Sequence, residues 1–385
     1  MSGTNTIFYD VTSLLHNPIR DGIRRVVFNW LIELIEINPM NSGFKVVPIY
    51  FNNWNYELAS EFLREIYPNV PTPRLSDSNL VPAPGDILIV PAYDIFVPNF
   101  ELNLKDFIGI CKVVSVVYDV LPISNPEWFP GNTHETHFIP ALKKSALVSD
   151  QIIVNTNHVK NELEAILVDY FGEAFKPKVS VVPLSGSLKT FFTRENKRNI
   201  KINEVNEEKN QTKLLAVGTL EPRKGYIDIL NSFLQVKSKG SNLNLTIVGR
   251  AGWSTDLILE KMKECRSRFS DSFLWVSNAD DEALNKLYRN TDIVICGSYD
   301  EGFGLPLAEA MDRNKVTLAR NIPVFHEVSQ GCAVYFGHDS DFENLTEAFE
   351  NILEVLSIGR LRVLEYKPLS PSHSALQLLS VIDGR

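Results

Sequence analysis

The sequence predicts an α/β protein built from two doubly wound, Rossmann-like domains. Short apolar runs alternate with longer segments of helical period, the pattern of parallel strands joined by crossover helices. That rhythm breaks in a polar, charge-dense stretch at residues 186–211 and then restarts. A chain of 385 residues, 44% hydrophobic and 22% charged, suits two soluble cores of ordinary size.

In the first half, Ile7-Phe-Tyr-Asp10-Val reads as the opening strand, followed by a loop with Asn17, Pro18 and Asp21. A long helix begins near Gly22. Ile23, Val26, Val27, Trp30, Leu31, Leu34 and Ile35 recur at helical period and form one apolar stripe. Phe28 and Ile32 fall off that stripe, which points to a bound partner. Arg20, Arg24 and Arg25 cluster at the start of the helix, where cations oppose its dipole. A phosphate would explain them, and so would a solvated basic end. Further strands are expected at residues 45–50, 86–91, 112–118, 151–155 and 178–182, with helices at 57–66 and 137–148. Ligands of such sheets bind beyond the carboxyl ends of the strands. That rule singles out Asp119, after the apolar run ending at Tyr118, as a candidate ligand contact. Asp119 is also a natural turn-former ahead of Pro122.

In the second half, strands are expected at 213–217, 243–248, 273–276, 293–296, 315–318 and 332–336, with helices at 226–235, 281–288 and 342–356. Two facing domains place the default ligand site in their cleft. The chemistry gathers in two loops. Val217-Gly218-Thr219-Leu-Glu221-Pro-Arg223-Lys224-Gly225 pairs an arginine fork with a lysine point charge beside a flexible turn, a combination suited to a diphosphate. Ser298-Tyr-Asp-Glu301-Gly302-Phe303-Gly304-Leu305-Pro306 follows a buried strand and opens a helix whose N-terminal amides favour an anion. Glu309, inside that helix, can accept from the vicinal hydroxyls of a ribose. Alternatively, Glu301 caps the helix and Glu309 is solvated. Leu307 stands where a dinucleotide fingerprint needs its third glycine, which argues against NAD.

The composition excludes other classes. A net charge of −9 disfavours a nucleic-acid surface. No run reaches the roughly 18 apolar residues of a transmembrane helix, and residues 1–6 carry no signal-peptide core. Cys111, Cys265, Cys296 and Cys332 lack C-x-x-C spacing, and Cys296 and Cys332 fall in strand-like runs as reduced thiols. A cytoplasmic protein is expected. His134 and His137 have no third ligand nearby, and Asp339-Ser-Asp341 is explained by helix capping. No metal and no cofactor are therefore expected.

Glu301-Gly-Phe-Gly-Leu-Pro-x-x-Glu309 resembles the E-x7-E signature of retaining nucleotide-sugar glycosyltransferases of family 4. It is most similar to the bacterial mannosyltransferases of O-antigen and capsule polysaccharide synthesis. Arg223 and Lys224 match the family's G-T-x-x-x-R-K setting from Gly218 and Thr219. The resemblance implies a GT-B fold with a C-terminal helix crossing back onto the first domain. It divides the chain into an acceptor-binding domain at 1–185 with the helix 368–385, a linker at 186–211 and a donor-binding domain at 212–367. It implies transfer of a hexose with retention, most simply mannose from GDP-mannose, to a growing or lipid-linked glycan; a UDP- or dTDP-sugar fits the same motifs. Glu301 would hold sugar hydroxyls and Glu309 the ribose. Arg223, Lys224 and the amides of Gly302, Phe303, Gly304 and Leu305 would hold the leaving diphosphate. Asn278 and Ala279 would hold the base through backbone groups, and Gly22 matches the family's glycine-rich turn. Relatives show His-Asp where this chain has Tyr118-Asp119. An epimerase on the same architecture and a catalytically silent nucleotide-sugar-binding module are the competing readings. Peripheral contact with the inner face of the membrane is a further expectation.

Overall fold

Runs dense in Val and Ile become strands buried on both faces, as crossover-connected parallel sheets require. The computed structural model describes residues 5–16, 21–41, 43–52, 55–66, 80–92, 104–132, 134–175, 177–187, 211–337, 342–357 and 365–384. The chain divides into two compact units, one comprising Met1–Pro126, Gly131–Arg194 and Leu369–Arg385, the other Glu127–Pro130 and Glu195–Pro368. The helix Pro371–Asp383 thus belongs with the first unit. Most of the expected linker, together with Arg20, Asp339 and Asp341, lies outside the described residues.

The first unit holds β1 (Asn5–Asp10), β2 (Phe44–Phe51), β3 (Tyr56–Leu58), β4 (Ile87–Val90), β5 (Lys112–Val117), β6 (Gln151–Val154) and β7 (Lys178–Val181). Their order is β3-β2-β1-β4-β5-β6-β7, parallel except where β3 runs against β2. The helix expected from residue 57 starts only at Ser60. A turn in which the Asn52 amide donates to the Asn55 carbonyl at 3.1 Å reverses the chain and forms a hairpin instead. It is held by the Tyr56 ring 5.4 Å from that of Phe107 and by the Tyr50 hydroxyl on Glu57 at 2.6 Å.

Within this unit the helix Gly22–Asn41 corrects two expectations. Its surroundings bury Phe28 to 1% exposure and Ile32 to 0%, whereas Ile23 of the expected stripe is 39% exposed. The helix packs against β2, the short helix Thr12–His16 and the C-terminal helix, so it is apolar on more than one face. Trp30 Nε1 donates to Ser374 Oγ at 2.9 Å and Ser372 Oγ to Glu33 Oε2 at 2.8 Å. The exposed apolar surface expected of Phe28 and Ile32 does not exist. Within the arginine cluster, Arg24 has a local partner. Asp21 Oδ1 accepts from the Arg24 amide at 2.9 Å as a helix cap, and its other oxygen pairs with the Arg24 guanidinium.

The second unit holds β8 (Thr212–Val217), β9 (Leu243–Val248), β10 (Phe273–Val276), β11 (Ile293–Cys296), β12 (Val316–Arg320) and β13 (Val334–Phe336). The order β10-β9-β8-β11-β12-β13 is parallel throughout. Leu214, Leu245, Ile293 and Leu318 meet Phe233, Met262 and Phe349 from the covering helices in one core. Cys332, expected within the last strand, precedes it and is only half-buried, because pairing with β12 begins at Val334. All four cysteines are free thiols. No described helix is long and apolar enough to cross a membrane. Strands β8 and β11 are neighbours whose successors lie on opposite sides, which makes the crevice at their carboxyl ends the topological switch point of the sheet.

Candidate functional site

Both chemistry-bearing loops open at that switch point. After β8, Pro222–Lys224 form a single 3-10 turn closed by Gly225, whose φ of 66° starts the helix Tyr226–Ser238. A Cβ on Gly225 would stand 2.1 Å from the Gly297 carbonyl oxygen, so glycine is what allows the two loops to touch. After β11, the chain runs through Gly297 and Ser298 to Glu301, and Gly304, with φ of 83°, is the N-cap of the helix Leu305–Asp312. Pro306 lies in its first turn, where a missing N–H is tolerated.

The loops meet through charge. Glu301, 8% exposed, receives Lys224 Nζ on Oε1 and Arg223 Nη1 on Oε2 at 3.3 Å, while Ser298 Oγ donates to Oε1 at 2.7 Å. Arg223 Nε is closer to Glu221 Oε2, at 2.9 Å. Two cations and two carboxylates therefore form one cluster. Burial alone would raise the Glu301 carboxyl, but Lys224 and Arg223 outweigh it and hold the group down at about 2. Burial pushes Glu221 the other way, above the usual range, against the pull of Arg223. Glu301 thus does not cap the helix; it is an ionised acceptor fixed between two cations. Lys224, Ser298, Glu301 and Gly304 line one cavity at this place, floored by Cys296 and Tyr226.

Side chains that sequence reasoning missed hold the cluster from below. Arg320, fully buried at the end of β12, donates from Nε to the Gly297 carbonyl at 2.8 Å and from Nη2 to Asp228 Oδ2 at 2.6 Å. Tyr299 OH donates to the same Asp228 oxygen at 2.8 Å, its ring lies under the guanidinium, and its amide donates to the Arg223 carbonyl at 2.9 Å. The signals were an acid in the first turn of an apolar helix and an arginine ending an apolar strand.

The remaining expected residues are placed as follows. Gly302 and Phe303 are buried, and Leu305 half-buried, in the turn beside Lys224. Gly218 is half-buried; its carbonyl accepts from Tyr226 OH at 2.7 Å, and a Cβ there would lie 3.9 Å from Lys224 Cε. Thr219 follows it, half-buried. Glu309 is 2% exposed and accepts from Tyr288 OH at 2.8 Å, so it is not a solvated helix residue. Asn278 is exposed and Ala279 half-buried, ahead of the Asp280 cap on the β10 side of the sheet. Gly22 and Asp119 belong to the first unit. Gly22 begins the long helix, and Asp119 Oδ1 accepts from the Leu121 amide at 3.2 Å, which is the turn-forming alternative. His137 Nδ1 lies 2.7 Å from Thr136 Oγ1 in a π-helical turn.

Comparison with known proteins follows the same lines. Residues 197–355 match the family model described as glycosyl transferases group 1. The chain is 29% identical over 358 residues to the serotype-specific mannosyltransferase WbdA of Escherichia coli, covering 88% of this chain and 41% of that protein. It is 28% identical over 239 residues to the O-antigen chain mannosyltransferase RfbU of Salmonella typhimurium, covering 61% of this chain and 59% of that one. The chain thus spans about two fifths of the length of the first of these relatives. Among solved structures, Anabaena Alr3699/HepE, in complex with UDP and glucose, superposes with a TM-score of 0.59 at 13% identity, over 98% of this chain and 95% of that one. The N-terminal domain of Candida albicans trehalose-6-phosphate phosphatase gives 0.63 at 12% identity, over 100% and 97%. Likeness at such identities establishes the fold, two parallel-sheet Rossmann-like domains of the GT-B class. With the cation pair and the acidic loop on one sheet edge, residues 197–355 of this chain are a glycosyltransferase group 1 domain.

Proposed function

We propose that the chain is a retaining glycosyltransferase that moves mannose from GDP-mannose to the growing glycan of a bacterial surface polysaccharide. The observation that carries the reading is the meeting of Arg223 and Lys224 on Glu301 at the β8/β11 switch point, beside the glycine turn that starts a helix. The chain's similarity to a serotype-specific mannosyltransferase and to an O-antigen chain mannosyltransferase supports mannose as the sugar and a surface glycan as the acceptor.

Glycosyl transfer passes through an oxocarbenium-like state while negative charge grows on the departing diphosphate. Preorganised cations and amides aimed at that charge lower the barrier most. Arg223 and Lys224 supply the cations, and the turn at Gly302, Phe303, Gly304 and Leu305 supplies the amides. Glu301, held ionised, accepts sugar hydroxyls and steadies positive charge at the anomeric carbon. Glu309 takes the ribose, and the backbone at Asn278 and Ala279 takes the base. Gly22 and Asp119 are assigned to the acceptor side. The leaving phosphate removes the proton of the acceptor hydroxyl on the same face of the sugar, so no side chain acts as a general base and no metal takes part. Free cysteines agree with a cytoplasmic enzyme. Phe28 and Ile32 are buried, so these two side chains offer no surface to a lipid-linked acceptor.

The test is to incubate the full chain with GDP-mannose, and in parallel with UDP-sugars, over a panel of mannose-terminated acceptors. The anomeric configuration of the product is then read by NMR. A new glycoside with the donor's configuration is expected. Inversion, or conversion of the donor to another sugar nucleotide without acceptor, overturns the reading. Binding without turnover over the whole panel replaces it with a silent binding module.

A further inference from the structure

The acceptor of the ribose is itself held. The helix Asp281–Asn290 is polar, and Tyr288 is its only buried residue, with no exposed surface. A tyrosine sunk out of a charged helix needs a partner for its hydroxyl. Tyr288 OH donates to Glu309 Oε2 at 2.8 Å and lies 3.5 Å from the Pro306 carbonyl, a second acceptor in the first turn of the Glu309 helix. The ring is fixed from its face by the Arg313 guanidinium at 4.9 Å. Arg313 in turn donates to the Glu309 carbonyl at 2.8 Å and to Asn285 Oδ1 at 2.6 Å, so it ties the two helices together around the tyrosine. Glu309, at 2% exposure on a helix otherwise made of Leu, Pro, Ala and Met up to Asp312, is not placed there by its affinity for water.

We propose that Tyr288 is the positioning residue that fixes the Glu309 carboxylate for a nucleotide ribose, and so makes this site select ribonucleotide over 2′-deoxyribonucleotide donors. The inference rests on the nucleotide-sugar reading above. A glutamate's terminal torsion is broad, and a free carboxylate would sample many orientations. A vicinal diol is recognised well only when acceptor oxygens already face it, since orientation fixed beforehand is not lost on binding. The phenol removes that freedom. Burial and the neighbouring carboxylate push the Tyr288 phenol well above its ordinary range, so it stays a neutral donor. A site built to bond a hydroxyl rejects the analogue without it, because its buried polar atom is left unpaired.

The experiment titrates the full chain with GDP and 2′-deoxy-GDP by calorimetry, with UDP and 2′-deoxy-UDP alongside, and carries forward the pair that binds. The unsubstituted chain should bind the ribonucleotide tighter by about tenfold or more, the scale of one well-made hydrogen bond. Tyr288→Phe should leave the deoxynucleotide within about twofold and erase most of the preference. Added to Glu309→Gln, it should change ribonucleotide affinity no further, since both act through one group. Equal weakening of both nucleotides by Tyr288→Phe, or additive effects in the double variant, overturns the proposal and leaves Tyr288 a packing residue. If Glu309→Gln keeps the ribose preference, Glu309 is not its acceptor and the reading beneath falls instead. Binding of no nucleotide overturns both. Should Tyr288→Phe not fold, Arg313→Gln frees the ring without removing either bonded group. It must shift the preference in the same direction; an unchanged preference overturns the proposal.

Discussion

Two strand ends of this chain carry an acid that sequence motifs single out, and they are built differently. After β5, Asp119 Oδ1 accepts from an amide two residues ahead, a bond within one turn. After β11, Glu301 gathers Arg223 and Lys224 from more than 70 positions away in sequence, and the loop that carries it is bolted by Arg320 to Asp228. The sheet orders explain the contrast. β11 borders the switch point of its sheet, so its loop faces the loop of β8; β5 lies one strand away from the β1/β4 switch of its own sheet. The loop at the switch point is thus assembled from charged side chains distant in sequence.

The largest expected effect breaks the bolted edge. Arg320→Met leaves Asp228 buried and uncompensated and should lower unfolding free energy by about 3–5 kcal/mol in denaturant melts. The double variant with Asp228→Asn should recover part of that loss. A cost under about 1 kcal/mol for the single variant would make the second edge no more interlocked than the first. Next, Lys224→Ala should reduce turnover by about 10²–10³-fold, the scale of one lost charge-stabilising donor, and should also lower the melting temperature, since the buried Glu301 loses one of its two cations. Near-normal turnover would remove the cation pair from the mechanism.

Acid sharpens the comparison further. The Glu301 carboxyl sits at about 2 in the folded chain against an ordinary 4.5, so its contribution to stability is complete above pH 4.5 and drains away as pH falls toward 2. Unfolding measured at descending pH should therefore fall more steeply in this chain than in Glu301→Gln; parallel curves would show that the cluster is not linked to folding. The smallest effect is expected at the local edge. Asp119→Ala should cost about 1 kcal/mol or less, the value of one capping bond. If it also slows transfer while donor affinity holds, Asp119 has the acceptor role; unchanged turnover leaves it a turn residue.

The local rules were enough for much of this chain. Strands β9 and β11 begin and end where Val, Leu and Ile runs do, because β-branched and apolar residues in a short run favour a pleated, doubly buried segment whatever surrounds them. The loops of Arg223–Lys224 and Glu301 were also visible, since glycine, proline and charge in sequence specify a strand–turn–helix without distant help. Tertiary structure decided the rest. It buried Phe28 and Ile32 by covering a helix on more than one face, which no single periodic stripe encodes. It folded residues 56–58 back as a strand, because a reversal at Asn52 offered them the edge of β2. It joined Arg320 to Asp228 and Tyr288 to Glu309, pairs 92 and 21 positions apart. Buried polar groups must find partners, and when a partner comes from another strand or helix only the packed chain determines which one it is.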